Sequence, residues 1–171
     1  MKRRIYHALC FVAFSALLVS TAVSLSLFYH FYEKQNQENL ATLCQTTAAG
    51  LQMAQEPQKW LKEQAKLDPS LRITFLDTDG QVLYDSQADD GAMENHKNRP
   101  EIQQALTQGF GEDSRLSNTL GESTYYYAVQ LSESGMVLRL SRNLQNMFGA
   151  FLQVLPFEVL FSLLLFLLSL F

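Results

Sequence analysis

Apolar residues crowd into two stretches at opposite ends of the chain, 8–31 and 148–171, with a mixed, largely polar segment of roughly 115 residues between them. Each stretch exceeds the ~20 predominantly apolar residues that carry a helix across a bilayer. The pattern predicts a short tail over 1–7, a transmembrane helix over 8–31, one outer domain over 32–146 and a second transmembrane helix over 147–171. A cleaved signal peptide, cut after Ala22, is the competing reading of the first stretch. However, the apolar character continues through Val23, Leu25, Leu27, Phe28 and Phe31, beyond the span of such a peptide, and Tyr29 and Tyr32 fall where aromatic rings favour the membrane interface. A retained helix is the expectation.

Within the middle segment the period changes. Leu40, Leu43, Thr47, Leu51 and Ala54 recur at spacings of three and four, one face of a helix that continues outward from the first stretch. Pro57 kinks or restarts it, Trp60, Leu61 and Leu67 give the next piece its own apolar side, and Asp68-Pro69-Ser70 is the break that follows. The period then becomes two. Segments 72–77 and 81–86 flank Thr78-Asp79-Gly80, the strongest hairpin signal in the chain, and 88–98 reads as a polar loop. Pro100 suits the first position of a short helix ending near Leu106, with Glu101 favourably placed in its first turn and Gly109 closing it. Strands are expected over 111–116, 123–131 and 136–141, the last two joined at Glu133-Ser134-Gly135. Along the second of these, Tyr125, Tyr127 and Val129 point one way and Tyr126 and Ala128 the other. Helix, two strands, helix, three strands describes an α+β domain on an antiparallel sheet of about five strands.

Charge orients this layout. Lys2, Arg3 and Arg4 precede the first apolar stretch and the next Lys or Arg is Lys34, so the N-terminus is expected inside the cell membrane and 32–146 outside. Residues 33–146 hold sixteen Asp/Glu and ten Lys/Arg, a net of −6, which lacks the basic footprint of a nucleic-acid binder. Cys10 lies in the first stretch and Cys44 outside it, so the two cannot bridge within one chain. A buried free thiol is the expected state of Cys44, ahead of a disulfide to a second copy. The second stretch contains Pro156 and Glu158. A carboxylate at membrane depth is a signalling candidate, although a protonated or partner-facing side chain is the plainer expectation. Residues 159–171 carry no charge where a finished crossing ordinarily meets Lys or Arg, so the chain is expected to stop short of an output domain.

Specific residues in the middle segment carry a resemblance. Glu94-Asn95-His96-Lys97-Asn98-Arg99-Pro100-Glu101-Ile102 and Ala105-Leu106 are followed by Arg115-Leu116-Ser117-Asn118-Thr119-Leu120-Gly121, Tyr125-Tyr126-Tyr127-Ala128 and Val137-Leu138-Arg139-Leu140-Ser141. In that order they resemble the extracytoplasmic sensor region of bacterial two-component sensor histidine kinases of the phosphate-regulon (PhoR-like) type. The resemblance implies a PAS-like, single-Cache-like outer domain between two transmembrane helices. It also implies a homodimeric receptor that passes a small-molecule or protein signal through the lipid bilayer to an ATP-dependent kinase. Such a kinase needs a phosphoacceptor histidine on a dimerisation helix and an Asn- and Gly-rich ATP site. His7, His30 and His96 stand in no such setting and no phosphate-cradling glycine loop is present, so neither enzyme activity nor a cofactor is expected of this chain. A chemoreceptor or cyclase front end, or a stand-alone membrane-anchored binding or regulatory protein, would share the same layout.

Three groups of side chains are candidates for binding. Arg99, Arg115 and Arg139 suit a carboxylate or phosphate through their guanidinium forks; the plainer expectation pairs Arg115 and Arg139 with Asp77, Asp85 or Glu122 on the sheet. Tyr125 and Tyr127, with Tyr84 and Tyr126, line either a pocket or the core, and aromatic residues at alternating strand positions favour the core. Asp89, Asp90, Glu94 and His96 are weak candidates for a hard cation, set against a solvated acidic loop. No nucleophile and base pair up, so no catalytic residue is assigned.

Overall fold

The computed structural model of the protein describes residues 2–88, 94–116 and 123–143, together with 153, 155–157, 159–161, 163 and 164. The chain divides into two units, one comprising Gln35–Leu144 and the other Met1–Lys34 with Gln145–Phe171. Eight elements follow one another: α1 (Lys2–Gln52), α2 (Pro57–Leu67), β1 (Leu71–Leu76), β2 (Val82–Asp85), α3 (Pro100–Gln108), β3 (Phe110–Leu116), β4 (Ser123–Gln130) and β5 (Val137–Asn143). The strands form a single antiparallel sheet in the order β2-β1-β5-β4-β3, so the last strand lies at its centre.

The α1 sequence contains no proline and a single glycine, Gly50, which explains why one helix runs for 51 residues. Its last turn tightens where Met53 and Ala54 N–H donate to the Gly50 and Leu51 carbonyls. Pro57 then starts α2, a restart rather than a kink, because proline has no amide hydrogen to lose at a first helical position. Gly50 also lets the two helices meet: a Cβ there would sit 2.8 Å from the Trp60 ring. The stripe of α1 that packs against the sheet is Leu40, Cys44, Ala48 and Leu51 with Thr47 beside it. Leu43, expected on that face, is 36% exposed, while Cys44 is 0% exposed. Spacings of four, four and three from Leu40 hold the stripe in line, and Leu43 lies one position off it.

The turn after β1 is closed by the Asp77 carboxylate, whose Oδ1 accepts from Asp79 N–H (2.9 Å) and Gln81 N–H (2.8 Å). Gly80 there adopts φ 80°, which only glycine takes without strain. Alternation divides the sheet into two buried faces. Ile73, Phe75, Tyr125, Tyr127, Leu138 and Leu140 meet α1, while Leu76, Val82, Ala128 and Val137 gather with Ile102 and Ala105 of α3. The Tyr125/Tyr127 and Tyr126/Ala128 division expected from the pattern is the one observed.

In the other unit, α1 contains an 18-residue window of mean hydropathy 2.1 with none of it buried, the one helix among the described residues long and apolar enough to cross a membrane. Phe11, Phe14, Leu18, Val19 and Phe31 all project outward from it. The described positions between 153 and 164 are helical. Glu158, Asp89, Asp90, the 117–122 connection and the rest of the second apolar stretch lie outside the described residues.

Candidate functional site

The face of the sheet that meets α3 is unlike the other: its centre is ionic. On β5 the side chains of Val137, Arg139 and Ser141 point to this face while Leu138 and Leu140 point away. Arg139 therefore sits on the central strand, between Thr74 of β1 and Ala128 of β4, and is 3% exposed. A guanidinium so placed needs partners of opposite charge. Its Nη1 donates to Glu101 Oε1 at 3.1 Å and its Nη2 to Thr74 Oγ1 at 3.1 Å. Glu101, 0% exposed, comes from the first turn of α3.

The second oxygen of the same carboxylate, Glu101 Oε2, accepts from Arg115 Nη2, while Arg115 Nε donates to Asp113 Oδ2 at 2.7 Å. Burial works against the Arg115 charge, but these hydrogen bonds outweigh it and hold its pKa above the ordinary value. The Tyr126 ring lies 4.1 Å from the Arg115 guanidinium carbon and 5.3 Å from that of Arg139, distances of cation–π contact. Burial depresses the pKa of Arg139, and Glu101 opposes that shift.

The network continues into β1 and β2. Thr74 Oγ1 donates to Asp85 Oδ2 at 2.8 Å, and Arg72 Nε donates to both oxygens of Asp85 at 3.0 Å. Asp85 Oδ1 also accepts the Gln87 and Ala88 amides. One chain of contacts thus runs Arg115–Glu101–Arg139–Thr74–Asp85–Arg72. His96 lies against its edge, 6% exposed, with Nδ1 making no hydrogen bond among the described residues. Burial lowers the His96 pKa from 6.5 to about 4, helped by the charges of Arg139, Arg99 and Arg72 and opposed by Glu101.

Of the arginines expected to converge, Arg139 and Arg115 do, upon Glu101 rather than Asp77 or Asp85; Glu122 lies outside the described residues. Arg99 is the exposed N-cap residue of α3; its backbone N–H donates to the His96 carbonyl at 3.0 Å, and its charge acts on the His96 imidazole. The structure separates Tyr125 and Tyr127 from the arginines, placing both on the α1 face. There Tyr125 Oη donates to Glu112 and the Phe110 ring stacks on Tyr127 at 6.3 Å. Burial, with the Glu112 contact, keeps the Tyr125 hydroxyl protonated. Tyr126 is the tyrosine of the ionic face. Among the described metal candidates Glu94 is exposed while His96 is buried beside arginine charges, and no group of three or more potential ligands forms among the described residues. A cation placed at His96 would meet repulsion.

Thr74 and Arg72 do not stand out in the pattern, and Glu101 stands out only as an acid in a helix's first turn. The available signal was an arginine inside the apolar run Val137–Leu140, which demands a buried acid, and the i, i+4 pair Glu101 and Ala105, which shares one helix face. Chemically, the arrangement holds a carboxylate between two guanidinium groups, joining α3 directly to β3 and β5 and through them to β1 and β2.

The sequence matches the family described as Single Cache-like over residues 28–140. No curated protein gives a match. Several solved structures do. The B. subtilis YkuI protein, which has an EAL domain and was crystallised with c-di-GMP and calcium, aligns with a TM-score of 0.50 and 16% identity, over 75% of this chain and 38% of that one. The extracellular domain of rpHK1S-Z16, a protein assigned as a histidine kinase, gives 0.41 and 18% over 53% and 39%. The sensor domain of the V. cholerae histidine kinase DctB gives 0.38 and 17% over 80% and 54%. The matched part is thus roughly two-fifths to one-half of each of those chains.

Proposed function

Because the chain belongs to the single Cache-like family, we propose that it is the signal-sensing region of a membrane-anchored sensor histidine kinase of the phosphate-regulon type. The observation that carries this reading is the composition of one helix. α1 holds an apolar window of mean hydropathy 2.1 and, further along, the stripe of Leu40, Cys44, Ala48 and Leu51 that packs on the sheet. Lys2, Arg3 and Arg4 just ahead of the apolar window support a start inside the cell, with the Cache domain facing outward. A small-molecule or protein signal that prefers one packing of the sheet against α1 shifts the helix, by no more than its differential affinity for the two packings allows. Two copies pair along their membrane helices and relay the shift to a kinase core carried by the full-length receptor.

The reading is tested by installing residues 1–171 in place of the sensor region of a characterised histidine kinase. Leu40→Ala, which loosens α1 from the sheet, should then change autophosphorylation by about fivefold or more, the lower end of ordinary coupling between sites. Autophosphorylation that stays the same as in a kinase lacking any outer domain contradicts it.

A further inference from the structure

We infer that the face of the sheet under α3 is an anion seat whose resident ligand is the protein's own Glu101 carboxylate. The seat belongs to the sheet: Arg139 from β5 and Arg115 from β3 flank the Tyr126 ring of β4 and address opposite oxygens of one carboxylate. Each guanidinium donates one charge-assisted hydrogen bond to a separate oxygen, and such bonds would hold a free carboxylate in the same way. The occupant belongs to a different element, arriving in the first turn of α3 behind the segment 94–99. It is a tethered ligand.

Three features close the seat to outside anions. The charges balance, since Arg72, Arg115 and Arg139 face Asp85, Asp113 and Glu101. The α3 backbone lies flush on β3, where a Cβ on Gly111 would come within 2.6 Å of Gln104 Cβ and 2.9 Å of Ala105 N. Glu101 itself has no exposed surface. The guanidinium nevertheless offers more than Glu101 takes, because Arg139 Nε–H is buried without a partner among the described residues. A free carboxylate therefore reaches this face only if α3 lifts, and α3 stays down because it carries the carboxylate that the arginines hold.

The seat is a property of the domain, so its test needs no kinase. The full chain in detergent micelles at neutral pH is melted while the single tryptophan, Trp60, reports unfolding by fluorescence, in sodium acetate and in sodium chloride of equal ionic strength. Acetate is the fragment that Glu101→Ala removes. The variant should melt at least about 10 °C below the wild type, and acetate should restore half or more of that loss in a saturable way. Chloride should not, and adding Arg139→Met should abolish the response. The wild type should shift by less than about 1 °C in acetate, because ligand-induced stabilisation requires an open site. An equal acetate shift in the wild type overturns the proposal, as does a folded Glu101→Ala protein that responds to acetate no more than to chloride. Should that variant not fold, Glu101→Gln keeps the volume filled: a lowered melting temperature without an acetate response supports the proposal, and a saturable acetate response overturns it.

Discussion

Burial acts on His96 more strongly than any single neighbour, and the consequence is a defined dependence of stability on pH. Above its ordinary value of 6.5 the imidazole is neutral in both folded and unfolded chains, and the full contribution of its burial is present. Between 6.5 and about 4 the unfolded chain takes up a proton that the folded domain refuses, so stability falls as pH falls; below about 4 no further loss arises from this residue. The gap between those values corresponds to at most about 3 kcal/mol. Urea unfolding at pH 7 and pH 4.5 should show the loss, and His96→Gln should remove most of it; an unchanged pH profile in that variant would assign the acid sensitivity elsewhere. Arg139 and Glu101 make a second prediction at this scale. Arg139→Met alone removes one of the two guanidinium partners of the buried Glu101 carboxylate and should destabilise by about 3–5 kcal/mol. Glu101→Leu combined with Arg139→Met should lose much less than the sum of the two single changes, because the pair is removed together. A double-mutant cycle in urea measures the difference.

At the scale of elements, α3 is positioned by a close approach as much as by charge. Gly111→Ala should push the helix off β3 and destabilise the domain by about 1–3 kcal/mol, the usual range for overpacking. Gly109→Ala meets no neighbouring atom, so any loss there comes from its backbone alone, at φ 89°. Thermal melts of the two variants separate these causes. Elements of this kind were readable from local pattern: the 72–86 hairpin, the proline-started α3 and the alternation along β4 all rest on interactions between near neighbours in sequence. What local pattern does not contain is pairing at a distance. The central position of β5 follows from pairing with β1 more than sixty residues earlier, and the Arg139–Glu101 bond spans 38 residues. Glu101 read as an acid suited to a helix N-terminus, a role that needs no partner, and this hid its burial. Leu43 belongs to the three-and-four spacing yet lies one position off the packed stripe, where Cys44, expected to be buried, takes the place because a thiol buries as readily as leucine.

For the whole molecule, the proposed function turns on two properties of one helix: an apolar length suited to a bilayer and a stripe packed on a Cache sheet. If the sheet faces outward, Met53, at the end of α1 and 86% exposed, lies outside the cell. Cys44 is a suitable internal blank, because burial pushes its thiol up to about 12 and leaves it unreactive in the folded domain. The most direct measurement is therefore labelling of a Met53→Cys variant with a membrane-impermeant maleimide on intact cells, with the wild type alongside. The variant should label without permeabilisation and remain with the membrane in alkaline carbonate, while the wild type stays unlabelled. Labelling of the variant only after the cells are opened, or its release by carbonate, would contradict an outward-facing sensor anchored by α1.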